Sequence, residues 1–89
     1  MIGLTPRLLS VRPVHYGVLE LVFADGLQGT AEVAERLRGP VFAHARTAAG
    51  FFDVSLDPET HAPVWPGGAD LAPDVLYAEI TSRSSTRVH

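Results

Sequence analysis

The chain has 89 residues, which is room for one domain, and 46% of them are hydrophobic, as in an ordinary folded domain rather than a disordered one. The formal net charge is −3, and acidic residues lie among the seven arginines, so the sequence lacks the clustered positive charge of a nonspecific nucleic-acid surface. The chain has no cysteine, which excludes disulfides, thiolate metal sites and cysteine nucleophiles.

No stretch of the sequence is typical of a membrane span or a secretion signal. A spanning helix needs about 20 apolar residues, and the longest apolar stretches here are interrupted by charged residues or glycine. The first residues lack the continuous apolar region of a signal peptide. We therefore expect a cytoplasmic protein without a membrane partner.

The first predicted element in chain order is a strand from Leu8 to Val14. It lies at a sheet edge or ends near Pro13, because Pro13 cannot donate a hydrogen bond to a neighbouring strand. A β-hairpin follows. A three-residue loop over 24–26 pairs Phe23 with Leu27, apolar with apolar, whereas a two-residue Asp-Gly loop would mix apolar with polar partners. We therefore predict the three-residue loop, with Gly26 in the left-handed region.

The middle of the chain predicts two short helices and then a hairpin. The helices cover residues 32–38 and 41–46, and a loop follows at 47–50. Apolar and polar side chains alternate from Phe52 to Asp57, which predicts a half-buried strand. A turn at the end of that strand joins it to a short antiparallel strand over 62–65.

The most distinctive local chemistry follows that short strand. Trp65 precedes a proline, which favours extended geometry and ends the strand there. Pro66 and Gly67 then predict a sharp turn. Pro73 is suited to the first position of a helix that we predict to reach Ile80.

These residues carry a resemblance to a known family. Trp-Pro-Gly-Gly-Ala-Asp-Leu at 65–71, an acidic helix start and Leu-Tyr at 76–77 resemble the signature of the domain-of-unknown-function family 2442. Gly67 stands where that family usually has asparagine, and both residues tolerate a positive φ. The upstream hairpin with Phe23, Asp25 and Gly26 also fits, so the resemblance covers roughly residues 8 to 80.

The resemblance implies a small bacterial α+β domain of uncharacterised activity, with no catalytic residues to carry over. It also implies frequent pairing with another small protein of unknown function, in a way similar to toxin–antitoxin pairs. The elements themselves predict one α+β domain over residues 1–80. They form an antiparallel sheet of about five strands with two short helices and a C-terminal helix. The polar tail, residues 81–89, is expected to be disordered.

A single group of residues combines aromatic, turn and acidic side chains, and it is our candidate binding or structural motif. Its members are Trp65, Pro66, Gly68, Asp70, Leu76 and Tyr77. In the functional interpretation, Trp65 and Tyr77 contact a partner or line a pocket. In the structural interpretation, Trp65 fills a thin core and Asp70 caps backbone N–H groups. The sequence leaves both interpretations open.

The other polar residues show no pattern of a catalytic, cofactor or metal site. The four histidines lie far apart in the chain, at no spacing typical of metal ligands. The serines have no nucleophile motif, and Gly67-Gly68 is too short for a phosphate loop. We therefore expect no enzyme, no metal site and no cofactor.

The sequence supports three hypotheses about function. The first is a non-catalytic interaction module that binds a small protein partner, in an antitoxin-like pair, or that self-associates, because so small a core gains stability from association. The second is a dimeric nucleic-acid-associated regulator, which the net charge disfavours. The third is a small-ligand binder with its pocket near Trp65 and Tyr77.

Overall fold

The computed structural model describes residues 5–86, with side chains described for residues 5–82. Six strands form two three-stranded antiparallel sheets. The first sheet contains β1 (Leu8–His15), β2 (Val18–Phe23) and β3 (Gln28–Glu32), and the second contains β4 (Ser55–Leu56), β5 (Pro63–Trp65) and β6 (Ala69–Asp70), each in that spatial order. The helical elements are two 3-10 helices (Ala34–Arg36 and Pro40–Phe42), α1 (Ala48–Phe51) and α2 (Pro73–Thr86).

The predicted α+β class and the C-terminal helix are confirmed, but the single sheet of about five strands is wrong. Helical turns occupy the chain between β3 and β4, and they carry it out of the first sheet. When the chain returns, β4 lies next to β1, but no hydrogen-bonded ladder joins the two sheets within residues 5–86. The second sheet is therefore a separate, smaller unit whose strands have only two or three residues.

The predicted register of the β2–β3 hairpin is confirmed. Leu19 lies opposite Ala31, and the Phe23 N–H donates to the Leu27 carbonyl at 2.8 Å. Gly26 adopts a φ of 94° in the three-residue loop. This register directs Leu19, Leu21 and Phe23 of β2 to the core and leaves the opposite face of the strand half-buried. Loop geometry and side-chain alternation agree here, so local sequence is sufficient to fix the pairing.

The strand predicted from Phe52 to Asp57 is wrong over its first half. Thr47 and the residues after it form the N-terminus of α1, because the Thr47 Oγ1 accepts a hydrogen bond from the Gly50 N–H at 2.9 Å. Phe51 is consequently the buried aromatic, whereas Phe52 is 49% exposed at the helix end. A turn at residues 52–53 follows the helix, and strand geometry begins only at Ser55 in β4.

The turn predicted after Trp65 is present, and it belongs to a hairpin that the sequence did not indicate. Gly67 and Gly68 both have positive φ values, 100° and 89°, and the Gly68 N–H donates to the Trp65 carbonyl at 3.3 Å. The chain then pairs with itself, with Ala69 opposite Trp65. A strand of two residues is too short to show a periodic pattern, so the sequence does not indicate β6.

Helix α2 lies against the β2–β3 hairpin. Ile80 packs on the backbone at Gly29, where a Cβ atom in place of the glycine hydrogen would lie 3.0 Å from the Ile80 Cγ2 atom. The helix extends six residues beyond the predicted end at Ile80, into the segment for which the sequence predicts disorder. Residues 87–89 lie outside the described residues, and the disorder of the tail stays a prediction.

One hydrophobic core connects both sheets and α2. Leu19, Leu21 and Phe23 of β2 belong to the same buried cluster as Trp65 of β5 and Leu76 of α2. Burial of these side chains is the main favourable contribution to folding. Neither helix in the described part of the chain has the length and apolar character to cross a membrane.

Gly50→Ala tests the tight packing at the start of α1. An added Cβ would lie 1.9 Å from the His44 carbonyl oxygen, so the backbone must shift. We expect a loss of about 3 kcal/mol in the free energy of unfolding, although alanine ordinarily stabilises a helix relative to glycine. Urea denaturation measures the change. Ala49→Gly, one position earlier, is the control, with an expected loss of about 1 kcal/mol or less, and a Gly50→Ala variant as stable as the wild type would contradict the packing.

Candidate functional site

Trp65 lies in the core at the end of β5. Its side chain is 3% exposed, and its indole N–H donates to the Phe51 carbonyl at 2.9 Å. The indole ring is 5.8 Å from the Phe51 ring and 6.1 Å from the Phe42 ring, between ring centroids. These are ordinary distances for favourable aromatic pairs. The geometry matches the structural interpretation of Trp65, with both its apolar body and its polar N–H satisfied inside the protein.

Asp70 does not cap the backbone, so that part of the structural interpretation is wrong. Its side chain is exposed on β6, and no hydrogen bond to it is found within residues 5–86. Asp70 lies opposite Val64 in the hairpin, so the ladder between the strands satisfies the backbone near it. The first turn of α2 has its own carboxylate, Asp74, which accepts a hydrogen bond from the Val75 N–H at 3.0 Å.

Leu76 and Tyr77 are neighbours on α2 with different surroundings. Leu76 is fully buried in the core. Tyr77 is half-buried, and its hydroxyl donates to the Asp25 Oδ2 atom at 2.5 Å. The Tyr77 ring also meets the Phe23 ring edge to face, with centroids 4.9 Å apart. Tyr77 therefore attaches α2 to the loop of the β2–β3 hairpin. The contact joins the two stretches of sequence that carry the family resemblance.

The Tyr77–Asp25 contact changes the acidity of both side chains. The hydrogen bond from Tyr77 is the main cause that lowers the pKa of Asp25 below its ordinary value of 3.8, and a second bond from the Leu27 N–H acts in the same direction. The same hydrogen bond raises the pKa of Tyr77 above its ordinary value of 10.0. The contact is therefore favoured when Asp25 is ionised and Tyr77 is protonated.

The structure does not gather the predicted motif into one pocket. Trp65 and Leu76 are buried, Tyr77 contacts the hairpin loop, and Pro66, Gly68 and Asp70 are exposed. Neither Trp65 nor Tyr77 lines any of the three clefts described below. Asp70 is the motif residue with an exposed, unpartnered polar group at a cleft.

That cleft lies beside the first turn of α2 and has a volume of about 470 Å³. We call it the α2 cleft, and its lining residues are Glu35, Arg36, Phe42, Asp70, Leu71, Ala72, Val75 and Leu76. For short, we call its apolar lining residues (Phe42, Leu71, Ala72, Val75 and Leu76) the floor and its charged, exposed ones (Glu35, Arg36 and Asp70) the rim. Val75 is 41% exposed although it is a large apolar residue. The α2 cleft thus combines exposed apolar surface with a polar rim, which is typical of binding surfaces.

A second cleft, of about 350 Å³, continues the rim of the α2 cleft through Glu35 and Arg36. Within it, the Arg36 guanidinium lies 3.0 Å from the Glu79 carboxylate. The other Glu79 oxygen accepts from the Glu32 N–H at 3.2 Å. Arg38 donates to the Glu35 carbonyl at 2.7 Å. Both arginines of this surface are therefore already engaged within the protein.

A third cleft, of about 280 Å³, lies between the N-terminal segment and the start of α2. Its charged lining side chains include Arg7 and Asp74, of opposite sign, together with His61. His61 has a φ of 57°, which is unusual for a residue other than glycine. The mixture of charges does not select one class of ligand.

The three histidines with described side chains, His15, His44 and His61, belong to no metal-ligating group. No group of three or more potential ligands is found among the described residues. His44 pairs with Asp53 at 2.6 Å, and both side chains are about half exposed. The sequence did not indicate this pair. His44 precedes α1 in the chain and Asp53 follows it, and the short helix that brings them together lies where the sequence predicts a loop.

The sequence also did not indicate the α2 cleft. Phe42 and Glu35 come from the helical turns after β3, and Asp70 and Val75 come from a segment about 30 residues later. One sequence signal was available: Val75 is apolar but lies outside the face of the helix that carries Leu76 and Ile80. In the structure Val75 is exposed, and Leu76 and Ile80 are buried. The contribution of the helical turns depends on tertiary packing.

Comparison with family models matches residues 8–82 to a family described as "Protein of unknown function (DUF2442)". No match was found among curated proteins, and none among solved structures.

Two substitutions at Trp65 separate its packing from its hydrogen bond. Trp65→Ala removes a buried ring, and we expect a loss of about 3–5 kcal/mol in the free energy of unfolding. Trp65→Phe keeps an aromatic ring and leaves the Phe51 carbonyl without its donor, so we expect a smaller loss of about 1–3 kcal/mol. Chemical denaturation measures both. A near-native Trp65→Ala variant would contradict the structural role of the ring.

The Tyr77–Asp25 contact predicts a pH dependence of stability. Because the pKa of folded Asp25 is lowered, its contribution is present above about pH 3.8 and is lost as the pH falls through the folded value. Because the pKa of folded Tyr77 is raised, its contribution is present below about pH 10.0 and is lost as the pH rises through the folded value. Tyr77→Phe should remove the alkaline dependence and reduce the acidic one, because the Leu27 N–H still donates to Asp25 in that variant.

Urea denaturation of the wild type and of Tyr77→Phe across this pH range measures the difference in stability. Tyr16→Phe is the control, since the Tyr16 hydroxyl makes no hydrogen bond within residues 5–86. The Tyr77 contact is contradicted if the stability difference between the wild type and Tyr77→Phe stays constant at acidic and alkaline pH.

Proposed function

Because the chain belongs to the DUF2442 family, whose description assigns no activity, we propose its function from the described surface. The domain is a non-catalytic module that binds another protein through the α2 cleft. The observation that supports this proposal is the exposed apolar floor of the cleft beside the Trp-Pro-Gly-Gly-Ala-Asp-Leu segment. That segment contributes Asp70 and Leu71 to the lining, and the residues that follow, into the first turn of α2, contribute Ala72, Val75 and Leu76.

The apolar surface continues beyond the cleft lining. Val41 is 46% exposed, and its carbonyl oxygen lies 3.8 Å from the position that a side chain at Gly67 would take. Val41 is therefore next to the turn after Trp65, and Val75 is on the adjacent helix. Interfaces between proteins typically have an apolar centre and a polar rim, with aromatic side chains enriched at the centre. Phe42, half-buried between Trp65 and the cleft, supplies such a side chain.

The chemistry of the cleft favours binding over catalysis. Its charged side chains are Glu35, Arg36 and Asp70. An acyl- or phosphoryl-transfer site requires a nucleophile beside a base, or cations directed at the reacting group. Arg36 is held by Glu79, and the described residues that line the cleft include no Ser, Thr, Cys, His or Lys. We therefore keep the absence of catalysis as part of the proposal.

The two alternative functions have less support from the described residues. A nucleic-acid regulator needs free cations, but Arg46 donates to the Leu37 and Gly39 carbonyls at 3.0 and 2.8 Å. A small-ligand site formed by Trp65 and Tyr77 needs the two side chains at one pocket. Trp65 is buried and Tyr77 contacts Asp25.

The partner in this proposal is a second small protein, and an antitoxin-like pair is its most specific form. The support for that specific form is the resemblance alone. Co-expression with the products of neighbouring genes tests it, because an antitoxin-like domain should relieve growth inhibition caused by its partner. If no neighbour product binds the domain or inhibits growth, the antitoxin-like form is contradicted while protein binding through the α2 cleft is still testable.

Val75→Ser tests whether partner binding depends on the cleft. It removes an exposed apolar group from the floor, and we expect roughly fivefold weaker binding, equivalent to about 1 kcal/mol. Val14→Ser is a matched control, because Val14 is also 41% exposed but lies on β1, away from the cleft. The measurement is affinity purification from native lysate with each variant as bait, followed by titration of the captured protein.

A protein captured by the wild type and Val14→Ser, and reduced with Val75→Ser, supports the proposal. Equal capture by all three baits, or a strictly monomeric protein with no partner, contradicts it. Thermal unfolding of each variant excludes loss of the fold as the cause.

A further inference from the structure

The charges around the α2 cleft are unbalanced. Its two carboxylates, Glu35 and Asp70, have no partner for their side chains within residues 5–86. The one guanidinium of the lining, Arg36, is paired with the Glu79 carboxylate at 3.0 Å. The free charge at the rim is therefore negative, and it lies within reach of the apolar floor.

The adjoining cleft strengthens this negative character. Across the two continuous clefts there are four carboxylates and two guanidinium groups. Arg38 keeps its positive charge, because its Nε–H donates to a neutral acceptor, the Glu35 carbonyl, and the two clefts together still have an excess of two negative charges. An unpaired carboxylate beside a partner's apolar residues is best satisfied by a cation on that partner, since buried or half-buried charges without partners reduce affinity.

We propose that the α2 cleft binds a segment of another protein in which apolar side chains are flanked by lysine or arginine. The apolar side chains contact Phe42, Leu71 and Val75, and the cations lie over Asp70 and Glu35. The cleft volume of about 470 Å³ suits a few side chains rather than a whole domain. This inference rests on the proposed function, and it adds the chemistry of the partner.

The charge pattern also distinguishes this partner from a second copy of the chain. Of the five arginines with described side chains, Arg12 and Arg36 bind carboxylates, and Arg38 and Arg46 bind backbone carbonyls. The sequence has no lysine. Arg7 is the one described arginine without a side-chain partner, and a second copy has the same net charge of −3, so it complements Asp70 and Glu35 less well than a basic segment does. An acidic segment would be repelled by the same two carboxylates, which gives the cleft selectivity.

Two synthetic peptides test the inference. Both are amphipathic helices of about four turns with one leucine face, and they differ in having either lysine or glutamate at every charged position. Calorimetric titration into the wild type should show binding of the lysine peptide at least tenfold tighter than that of the glutamate peptide. The affinity for the lysine peptide should fall with added salt, because the rim pairs are partly exposed.

Charge reversal in the protein locates the contact. Asp70→Lys should weaken binding of the lysine peptide roughly fivefold or more. Glu59→Lys is the matched control, since it changes the net charge equally at an exposed residue that lines none of the three clefts, and it should leave the affinity within about twofold. Asp70→Asn removes the charge with almost no change in size, and it should weaken binding of the lysine peptide by less than Asp70→Lys does. It replaces Asp70→Lys as the test if that variant does not fold.

The outcomes separate this inference from the proposed function. Equal losses with Asp70→Lys and Glu59→Lys would mean attraction by net charge alone, and would overturn the inference. Absence of binding by the lysine peptide, or equal binding of both peptides, would also overturn it. If a partner captured from lysate depends on Val75 but not on Asp70, protein binding through the cleft stands and its selectivity for basic segments fails. If that partner depends on neither residue, the proposed function itself fails.

Discussion

The hydrogen bond between the Trp65 indole and the Phe51 carbonyl is the constraint on which the arrangement of the two sheets depends. The bond joins β5 to α1 inside a buried aromatic cluster. A buried indole N–H has a strong requirement for a partner, and here the acceptor is a backbone carbonyl of fixed position. The Phe51 ring also contacts Tyr16, in the turn between β1 and β2, with centroids 5.3 Å apart. Phe51 thus connects the first sheet to the second.

A second set of contacts fixes α2 at the other side of the core. Tyr77 binds Asp25, Ile80 packs on Gly29, and Glu79 binds both Arg36 and the Glu32 N–H. The Glu79 contact occupies a backbone donor at the end of β3, an edge strand of the first sheet. Such protection disfavours strand-to-strand association at that edge. The α2 cleft lies between this helix and the helical turns after β3.

These constraints explain why the α2 cleft can be exposed and apolar in a protein with so small a core. Leu76 is fully buried and lines the cleft, and the buried Trp65 ring packs against Phe42, another lining residue, so the core supports the cleft from inside. A rigid binding surface loses less conformational entropy on association than a mobile one. The same residues that stabilise the fold therefore prepare the surface that we propose binds a protein partner.

The sequence by itself determined the features that depend on neighbouring residues. The register of the β2–β3 hairpin, the turn after Trp65, the start of α2 at Pro73 and the family membership all follow from local turn chemistry, side-chain alternation and motif. Only the tertiary structure decided which of two adjacent phenylalanines is buried, that the strands form two sheets, that Asp70 is exposed, and that Glu35 and Val75 share a cleft. Those outcomes depend on contacts between distant residues, such as the Tyr77–Asp25 bond across 52 positions. Short local patterns are compatible with several such contacts, and burial and hydrogen bonding across the whole core select among them.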